Sequence, residues 1–391
     1  MHICFVTYWG LEEGLTQATV IPHLEILQNH SNVSEISLIS MERGKKVESY
    51  EAPKTRHFPV YTDAKIIHKI FDKRRVTQKL RELHRHSKVD VIMARGGMAA
   101  MMCMDFAEKH NIPMSIESFE PHAQYMLDDG VWKRSSLKYK TLYRSEERQK
   151  KYADFLLPVT DAYRTHLIES EGVKGDKIIT MPCCVNEDRF GFLPEDRQRI
   201  RELLKIEDRT VGVYTGKLGG IYLEEEAIAM FQTALKHYKE KFYLIILSPD
   251  KEAWESKLSN AGFSSDQYHI GFVPMSEVPA YLSAADYAYS LHRPTPSKMG
   301  ISPIKNAEYF ANGLPVIMPT GIGDDSALVP KHELGVVVED FNRINEALFD
   351  KIDALIPSNR TDNHIVSWAK KNRSFAVVAG TYDTILSAFQ D

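Results

Sequence analysis

The chain has 391 residues, of which 43% are hydrophobic and 26% are charged. These fractions are ordinary for soluble globular domains and argue against disorder, collagen and coiled coil, while the length predicts two or three domains. The formal net charge of −4 differs from the clearly basic charge of a dedicated nucleic-acid binder, so we expect no nucleic-acid partner. Cys4, Cys103, Cys183 and Cys184 form no C-x-x-C pair, which disfavours a disulfide scaffold or a zinc site and fits a reducing compartment such as the cytoplasm.

The amino-terminal sequence MHICFVTYWG has no basic segment followed by a long apolar stretch, and no run approaches 18 apolar residues. We therefore predict neither a signal peptide nor a membrane-spanning helix. Positive charge is concentrated at residues 65–88, with nine Lys or Arg against two acids, and at 133–151, with eight against two. Each stretch is either a solvated helix face or a basic surface that rests on anionic lipid headgroups. The apolar residues interleaved in the first stretch are Ile66, Ile67, Ile70, Phe71, Leu80 and Leu83.

Short apolar, β-branched runs recur along the chain, separated by segments with helical periodicity such as 17–29, 98–110, 223–239 and 303–312. This alternation predicts an α/β protein with parallel sheets covered by helices. Thirteen strands are too many for one ordinary sheet, so we expect two sheets of about seven and six strands. The predicted strands are 3–8, 36–40, 57–60, 89–94, 112–117, 155–160, 178–181, 211–216, 242–248, 268–272, 286–290, 315–318 and 335–338.

The turn-rich stretch 183–196 lies between the two strand series and is the predicted linker. We therefore expect a first domain at 1–190 and a second at 191–364. A last helix, at about 365–391, either packs back onto the first domain or does not. In doubly wound sheets ligands bind beyond the carboxyl ends of the strands, so the cleft between the two domains is the expected site.

Several familiar motifs are missing from the chain. It contains neither the dinucleotide fingerprint G-x-G-x-x-G nor the P-loop G-x-x-x-x-G-K-[ST]. The metalloprotease pattern H-E-x-x-H and the hydrolase elbow G-x-S-x-G are also missing. These observations disfavour hydride transfer on a standard dinucleotide site and ATP hydrolysis.

Two glycine-containing loops follow predicted strands. In 9-WGLEEGLTQAT-19, Gly14 would let a ligand approach a helix N-terminus closely, or it belongs to a plain turn. In 214-YTGKLGG-220, Gly216 loosens the backbone beside the positive charge of Lys217, which suits a phosphate. The alternative there is a glycine-rich turn with a surface lysine.

The stretch 297-SKMGISPIKNAEYFANGLPVI-317 predicts a helix that begins at Ser302, with Pro303 at its first position. Lys305 and Glu308 are three residues apart and share one helical face. Free N–H groups together with Lys298 or Lys305 would bind a diphosphate, and Glu308 would accept hydrogen bonds from a ribose. The alternative is an ordinary surface ion pair.

Residues 303–317 match, position for position, the run P-x-K-x-x-E-Y-x-A-x-G-x-P-V-I that is frequent in retaining glycosyltransferases of family 4. Segments 182–190, 214–220 and 270–290 resemble further patterns of that family in the same order, so the resemblance covers most of residues 180–340. It implies a GT-B fold, with two Rossmann-like doubly wound parallel-sheet domains facing across a cleft. The amino-terminal half, which matches only in pattern, would bind the acceptor.

The resemblance also implies roles for individual residues. Lys217 and Lys305 would contact the diphosphate, and Glu308 the ribose. The donor-binding set would further include Gly14, Gly216, Lys298, Ser302 and Ile304.

Two positions depart from the family pattern. The glutamate that family members often place eight residues before the ribose-binding one is Gly300 here, so the sugar must be held differently. The second basic residue of the usual phosphate pair falls near Tyr222, so its charge would come from Lys298 or Lys305.

Candidate residues of the first domain also follow strands. The resemblance suggests that His122, beside Glu120, lies by the donor sugar or the acceptor hydroxyl, and a structural histidine is the alternative. Arg95 would hold an anionic part of the acceptor, or it forms a salt bridge.

The resulting expectation is a transferase that moves a hexosyl or N-acetylhexosaminyl group from a nucleoside-diphosphate sugar to a hydroxyl of a saccharide or lipid-linked acceptor. Retention of configuration is implied by the family. No D-x-D occurs, so we expect no metal and no other cofactor. A sugar-nucleotide 2-epimerase and a non-catalytic nucleotide-sugar-binding partner of a polysaccharide assembly complex are the alternatives. The basic stretches add an anionic membrane surface as a further partner, which would place the protein in the cytoplasm or on the inner face of the membrane.

Overall fold

The computed structural model describes residues 1–44, 46–62 and 71–390. These residues form two compact units. The first unit comprises Met1–Pro182, Met299–Ile301 and the chain from Phe375 onward, and the second comprises Cys183–Lys298 and Ser302–Ser374. The chain first passes between the units at Pro182, eight residues before the expected boundary.

The first unit contains a seven-stranded sheet with the order β3-β4-β2-β1-β5-β6-β7. All neighbours are parallel except the short edge strand β3, which pairs with β4 in the antiparallel direction. Every residue of the central strand is buried, as expected where helices cover both faces of a parallel sheet. The strands are His2–Thr7 (β1), Glu35–Arg43 (β2), Glu51–Ala52 (β3), Thr55–Thr62 (β4), Val91–Arg95 (β5), Met114–Glu117 (β6) and Phe155–Leu157 (β7).

The helices of this unit bury one apolar stripe against the sheet. Val76, Leu80 and Leu83 recur at spacings of four and three residues and join the core that includes Val6 and Ile92. The helices are Gly14–Thr19 (α1), Ile21–Asn29 (α2), Asp72–His86 (α3), Gly96–His110 (α4), His122–Asp128 (α5), Leu137–Tyr152 (α6), Asp161–Glu169 (α7) and, from the end of the chain, Phe375–Ala388 (α17).

The second unit contains a six-stranded sheet, all parallel, with the order β10-β9-β8-β11-β12-β13. Its strands are Thr210–Thr215 (β8), Phe242–Leu247 (β9), Tyr268–Gly271 (β10), Tyr287–Tyr289 (β11), Val316–Pro319 (β12) and Gly335–Val338 (β13). Its helices are Glu187–Phe190 (α8), Pro194–Leu204 (α9), Glu225–Tyr238 (α10), Lys251–Asn260 (α11), Val278–Ala284 (α12), Ile304–Ala311 (α13), Asp325–Lys331 (α14), Ala347–Asp353 (α15) and His364–Asn372 (α16).

Both sheets are doubly wound, which confirms the predicted α/β class with two Rossmann-like domains. The strand order reverses between β1 and β5 in the first sheet and between β8 and β11 in the second. The crevice beyond the carboxyl ends of such a pair of strands is where ligands of open α/β sheets bind. We call these two places the first and the second switch point.

Two predicted elements differ from the structure. The run 178–181 is not a strand, since only Ile178 forms a bridge, to Leu156. The strand with which this run would pair, β7, ends at Leu157, and the next residue, Pro158, has no N–H to donate to a ladder.

None of the helices in the described parts of the chain combines the length and apolar character of a membrane span.

The single last helix expected at about 365–391 is two helices, α16 in the second unit and α17 in the first. The break falls at Arg373 and Ser374, where the Arg373 carbonyl accepts from the N–H of Val185 at 2.9 Å. That interaction uses a carbonyl that a continuous helix would need for its own hydrogen bonds.

Candidate functional site

The second switch point is formed by the ends of β8 and β11 and by helix α13. Strand β8 ends at Thr215 and leads into the glycine loop 216–220, and β11 ends at Tyr289 and leads into the long loop before α13. Lys305, the second residue of α13, donates from Nζ to the carbonyl oxygen of Thr215 at 2.5 Å. Helix α13 and the end of β8 therefore meet at one ammonium group.

Lys305 is held in an apolar setting for a charged group. Lys305 is only 7% exposed. Its Nζ lies 4.3 Å from the ring centre of Tyr222 and 5.0 Å from that of Tyr214. The ammonium has three N–H donors, and the bond to Thr215 is the only hydrogen bond that they make with the described residues. Burial lowers the pKa of Lys305 to about 7, against the opposing charge of Glu308. The ammonium is thus poised to gain an anionic ligand.

Gly216 allows the backbone of the glycine loop to lie close to the Lys305 ammonium. Its φ of +140° disfavours other residues, and a Cβ there would lie 2.8 Å from the Lys305 Nζ. The loop is fixed by two hydrogen bonds, from the Tyr214 hydroxyl to the Lys217 carbonyl and from the Leu218 N–H to Asp250 Oδ2, both at 2.8 Å. The Lys217 side chain itself is exposed, so it lies on the surface of a well-held loop.

Glu308 is also buried, at 6% exposure, so the alternative of an ordinary surface ion pair with Lys305 is wrong. Burial raises the pKa of Glu308 to about 7, although the charges of Lys305 and Arg189 act to lower it. A carboxyl group that is costly to ionise in isolation gains from ligands that donate hydrogen bonds to it. The sequence correctly placed Glu308 on the same helical face as Lys305.

The start of α13 differs by one residue from the prediction. Pro303 is the residue before the helix and Ile304, half-buried, is its first residue. Ser302 does not cap the helix with its side chain; its Oγ instead accepts from the N–H of Cys183 at 3.3 Å. No side chain caps α13, and the Asn306 N–H donates to the Pro303 carbonyl at 3.0 Å, so the N–H groups of Ile304 and Lys305 are the ones left for other acceptors.

Two further basic residues lie in the loop between β11 and α13. Lys298 is fully buried in the turn Pro296–Gly300. His292 is 5% exposed, and its ring lies 4.8 Å from that of Tyr222. Burial, together with the charges of Lys305 and Lys298, lowers the pKa of His292 well below its usual value. Sequence reasoning missed His292, although its place three residues after the last residue of a strand was a usable signal.

The first unit brings two predicted residues together. His122 opens α5, and its Nδ1 lies 2.9 Å from Glu120 Oε1, with both side chains partly exposed. The next residue, Ala123, donates its N–H to Glu146 at 2.9 Å. Glu146 was not predicted; its burial raises its pKa to about 7.

Gly300, which groups with the first unit, has no room for a side chain. A Cβ at this position would lie 2.8 Å from Pro121 Cδ, next to His122. A glutamate at this position would require Pro121 to move. The departure from the family pattern is therefore built into the packing of this unit.

Arg95 forms a salt bridge, which was the alternative to its predicted role of holding an anionic part of the acceptor. Its guanidinium donates to Glu117 at 3.0 Å, and the other Glu117 oxygen accepts from the Tyr382 hydroxyl at 2.5 Å. His23 Nδ1 is 2.8 Å from the same hydroxyl. Burial raises the pKa of Glu117, but His23, Arg95 and Tyr382 outweigh it and hold the pKa below its usual range. This network ties α17 to the first sheet.

The loop after β1, at the first switch point, carries an aromatic pair that sequence reasoning missed. The Arg43 guanidinium lies 4.3 Å from the ring centre of Tyr8 and 5.4 Å from that of Trp9, and Trp9 is 37% exposed. Gly14 follows at the start of α1, and a Cβ there would meet no atom within 4 Å. The local structure does not itself require glycine at this position, so its donor-binding role stays a prediction.

The two basic stretches differ in structure. Residues 65–70 of the first lie outside the described residues, and its Leu80 and Leu83 belong to the core. In the second stretch Leu137, at the start of α6, is 78% exposed. Exposed neighbours in the sequence are Val131, Lys133, Arg134, Lys138, Lys140, Tyr143 and Arg144.

Within the described ranges, no cluster of three or more His, Cys, Asp or Glu side chains is placed to hold a metal ion.

The chain has a partial sequence match to a known protein. No family model matches the chain. It is 27% identical over 225 residues to chitobiosyldiphosphodolichol β-mannosyltransferase of Kluyveromyces lactis, and the match spans 51% of this chain and 48% of that protein. The chain therefore spans about half the length of the curated relative that it matches.

Solved structures are similar over nearly the whole chain. Anabaena HepE in complex with UDP has a TM-score of 0.72 at 12% identity, covering 99% of this chain and 100% of that one. Sucrose-phosphate synthase from Thermosynechococcus elongatus gives 0.73 at 14%, with the same coverages. WaaG, a glycosyltransferase involved in lipopolysaccharide biosynthesis, gives 0.64 at 15%, covering 96% and 95%. Together with the two doubly wound sheets, these similarities show that the chain has the GT-B fold.

Proposed function

We propose that this protein is a glycosyltransferase that transfers a sugar from a nucleoside-diphosphate sugar to a hydroxyl group of a saccharide or lipid-linked acceptor. The observation that carries the proposal is the buried ammonium of Lys305, which has one carbonyl partner among the described residues and stands beside Gly216 at the second switch point. A nucleotide diphosphate has the charge to match this group. Glu308, one turn further along α13, would accept hydrogen bonds from a ribose.

Proteins with this fold support a nucleotide-sugar substrate. HepE has been solved with UDP and with UDP-glucose, and the Kluyveromyces relative is by its name a mannosyltransferase acting on a diphosphodolichol-linked saccharide. The name of the Kluyveromyces relative supports a hexosyl donor group and a lipid-linked acceptor as parts of the proposal. The proposal also includes an N-acetylhexosaminyl group as the other donor type and membership of family 4, which rests on the run at 303–317.

In the proposed reaction, Lys305 and the first N–H groups of α13 stabilise the negative charge that develops on the departing diphosphate. Lys217, on the fixed glycine loop, adds a second positive charge. Such preorganised electrostatic contacts are commonly worth about a hundredfold in rate each. No metal is part of the proposal, because these groups supply the charge, and added EDTA should leave the rate unchanged.

The acceptor hydroxyl would attack the sugar from the side of the departing diphosphate, with a diphosphate oxygen taking its proton, so that the product keeps the donor configuration. His122, oriented by Glu120, would contact the donor sugar or this hydroxyl. Proton NMR of the product anomer tests the stereochemistry: an inverted product would contradict retention without affecting transferase activity.

The direct test is a thermal-shift screen with UDP, GDP, CMP and dTDP. A ligand at a hundred times its Kd adds about 2.7 kcal/mol to the unfolding free energy, so at least one nucleotide should raise the Tm clearly. Glu308→Gln should weaken binding of that nucleotide by at least about tenfold and remove the preference over its 2′-deoxy form. Lys251→Met, at an exposed lysine of the same unit, is the control.

Failure of all four nucleotides to raise the Tm would overturn the proposal. Product formed from the nucleotide sugar alone, without acceptor, would point instead to a 2-epimerase. Nucleotide binding without turnover on any saccharide or lipid-linked acceptor would point to a non-catalytic binding protein.

The start of α6 supports a membrane partner for this enzyme. Its exposed apolar side chains, such as Leu137, stand among lysines and arginines, a composition that suits the surface of an anionic bilayer. We expect binding to vesicles that contain phosphatidylglycerol and release as salt is raised. Replacing Lys138 and Lys140 by Gln should weaken this binding while nucleotide affinity is unchanged; unchanged vesicle binding would contradict this assignment.

A further inference from the structure

The segment that leaves β11 carries two buried polar atoms without a hydrogen-bond partner among the described residues. They are Oγ of Ser290, which is fully buried, and Nδ1 of His292, which is 5% exposed. Buried polar atoms of folded proteins are nearly always satisfied by protein, ordered water or ligand. Two such atoms lie within three residues, at the carboxyl end of a strand and at a switch point, where a ligand or an ordered water can satisfy them.

The imidazole of His292 is fixed by its backbone and by packing. Tyr222 and His292 form an antiparallel bridge, and the Leu223 N–H donates to the Leu291 carbonyl at 2.9 Å. The Arg293 N–H donates to the Ile221 carbonyl at 2.8 Å. These bonds join the loop after β11 to the loop after β8, so the ring position is set without a side-chain hydrogen bond to Nδ1.

The ring of Tyr222 is close both to His292 and to Lys305, the lysine that is proposed to bind the diphosphate. The Tyr222 ring lies 4.8 Å from the His292 ring and 4.3 Å from the Lys305 ammonium. Burial and the charges of Lys305 and Lys298 lower the pKa of His292, so the imidazole is neutral at pH 7 and has one N–H donor. A neutral donor beside two ammonium groups suits an anionic ligand and avoids adding a third positive charge to a buried site.

We propose that His292 binds the diphosphate of the nucleotide by donating a hydrogen bond from its imidazole, alongside Lys305. This inference rests on the proposed function and adds to it a residue outside the four segments that carry the resemblance to the family. It assigns His292 to the diphosphate and not to the nucleoside.

The test uses two variants and two ligands. His292→Phe keeps the ring against Tyr222 and removes the donor, and His292→Gln keeps an N–H donor without the ring. The Kd values of UDP and uridine are measured by calorimetry, or those of GDP and guanosine if GDP is the nucleotide that stabilises the wild-type protein. We expect His292→Phe to bind the diphosphate nucleotide at least about tenfold more weakly and the nucleoside as well as wild type, with Gln restoring most of the loss.

Inorganic pyrophosphate gives a second readout, because it should compete with the nucleotide less effectively in His292→Phe than in wild type. Equal loss of affinity for nucleotide and nucleoside would show a structural role and overturn the inference. Unchanged nucleotide affinity in His292→Phe would show that water satisfies Nδ1, and would also overturn it, while the proposed function would stand. A wild-type protein that binds none of the nucleotides would overturn the proposed function itself.

Discussion

Arg95 and Lys305 are both basic residues at the carboxyl edge of a parallel sheet, beside its switch point, but their charges are satisfied in different ways. Arg95 donates to the buried carboxylate of Glu117, which Tyr382 and His23 also stabilise. Lys305 is just as buried but has a single carbonyl partner in the described structure and two aromatic rings. The comparison teaches that a buried basic residue at this edge indicates a ligand when, within the described residues, no carboxylate forms an ion pair with it.

The two edges also differ in their neighbours. The second edge has a glycine loop pressed against the lysine and a helix with uncapped N–H groups. The first edge has an exposed tryptophan beside an arginine and a tyrosine. The second edge thus carries the groups of the proposed diphosphate site, whereas the first edge carries an exposed aromatic face beside a cation.

Arg95→Met is the change with the largest expected effect, and it acts on stability. It leaves the Glu117 carboxylate buried without its cation, which should lower the unfolding free energy by about 3 kcal/mol or more. Urea denaturation measures this loss. A variant as stable as wild type would show that His23 and Tyr382 suffice to hold Glu117 and would weaken the contrast with Lys305.

Lys305→Met should do the opposite. It removes a buried charge with little compensation, so stability should be unchanged or higher, whereas transfer activity should fall by about a hundredfold. Denaturation and initial rates on the same preparations separate the two effects. Near-normal activity would remove Lys305 from the site.

Gly216→Ala tests the contact between the glycine loop and Lys305. Its Cβ would come within 2.8 Å of Nζ at a φ that strains any other residue, so we expect a cost of about 1–3 kcal/mol and weaker nucleotide binding. Gly220→Ala is the matched control, with positive φ but no atom near the added Cβ. Equal nucleotide affinity in the two variants would contradict a role for this contact.

The pKa of Lys305 predicts how nucleotide binding depends on pH. Burial lowers this pKa from 10.5 to about 7, so above pH 7 the ammonium loses its proton and affinity should fall by up to about tenfold per pH unit. Over the same range the unfolded chain binds the extra proton, so this residue makes stability rise with pH. Calorimetry of the nucleotide from pH 6.5 to 9 checks the first statement, and Lys305→Met should flatten the profile.

Gly14→Ala should have the smallest effect. No atom of the chain lies near the added methyl group, so stability should not fall, while close approach of the donor would cost a few-fold in affinity. Binding of the nucleotide sugar, compared with wild type, measures it. Unchanged affinity would assign Gly14 to a plain turn.

The sequence determined the class of fold and one side of the site. Alternation of apolar strands with helical periods predicted two sheets of parallel strands, because burial on both faces demands continuous apolar runs. The pattern predicted six of the seven strands of the first sheet and missed β3, a two-residue antiparallel edge strand. The spacing of Lys305 and Glu308 placed both on one face of a helix, and the structure confirms that face as buried. These are local properties, which a short stretch of sequence carries by itself.

Tertiary structure alone decided which charges were already satisfied. The local sequence does not show which partners Arg95 and Lys305 meet, and only the folding of α17 against β6 brings Tyr382 to Glu117 beside Arg95. Likewise, nothing in the local sequence shows that His292 meets Tyr222, seventy residues away, or that the last helix breaks so that Arg373 can accept from Val185. Hydrogen bonds between distant residues depend on the whole packing, because a polar group finds its partner only after the elements that carry both have docked.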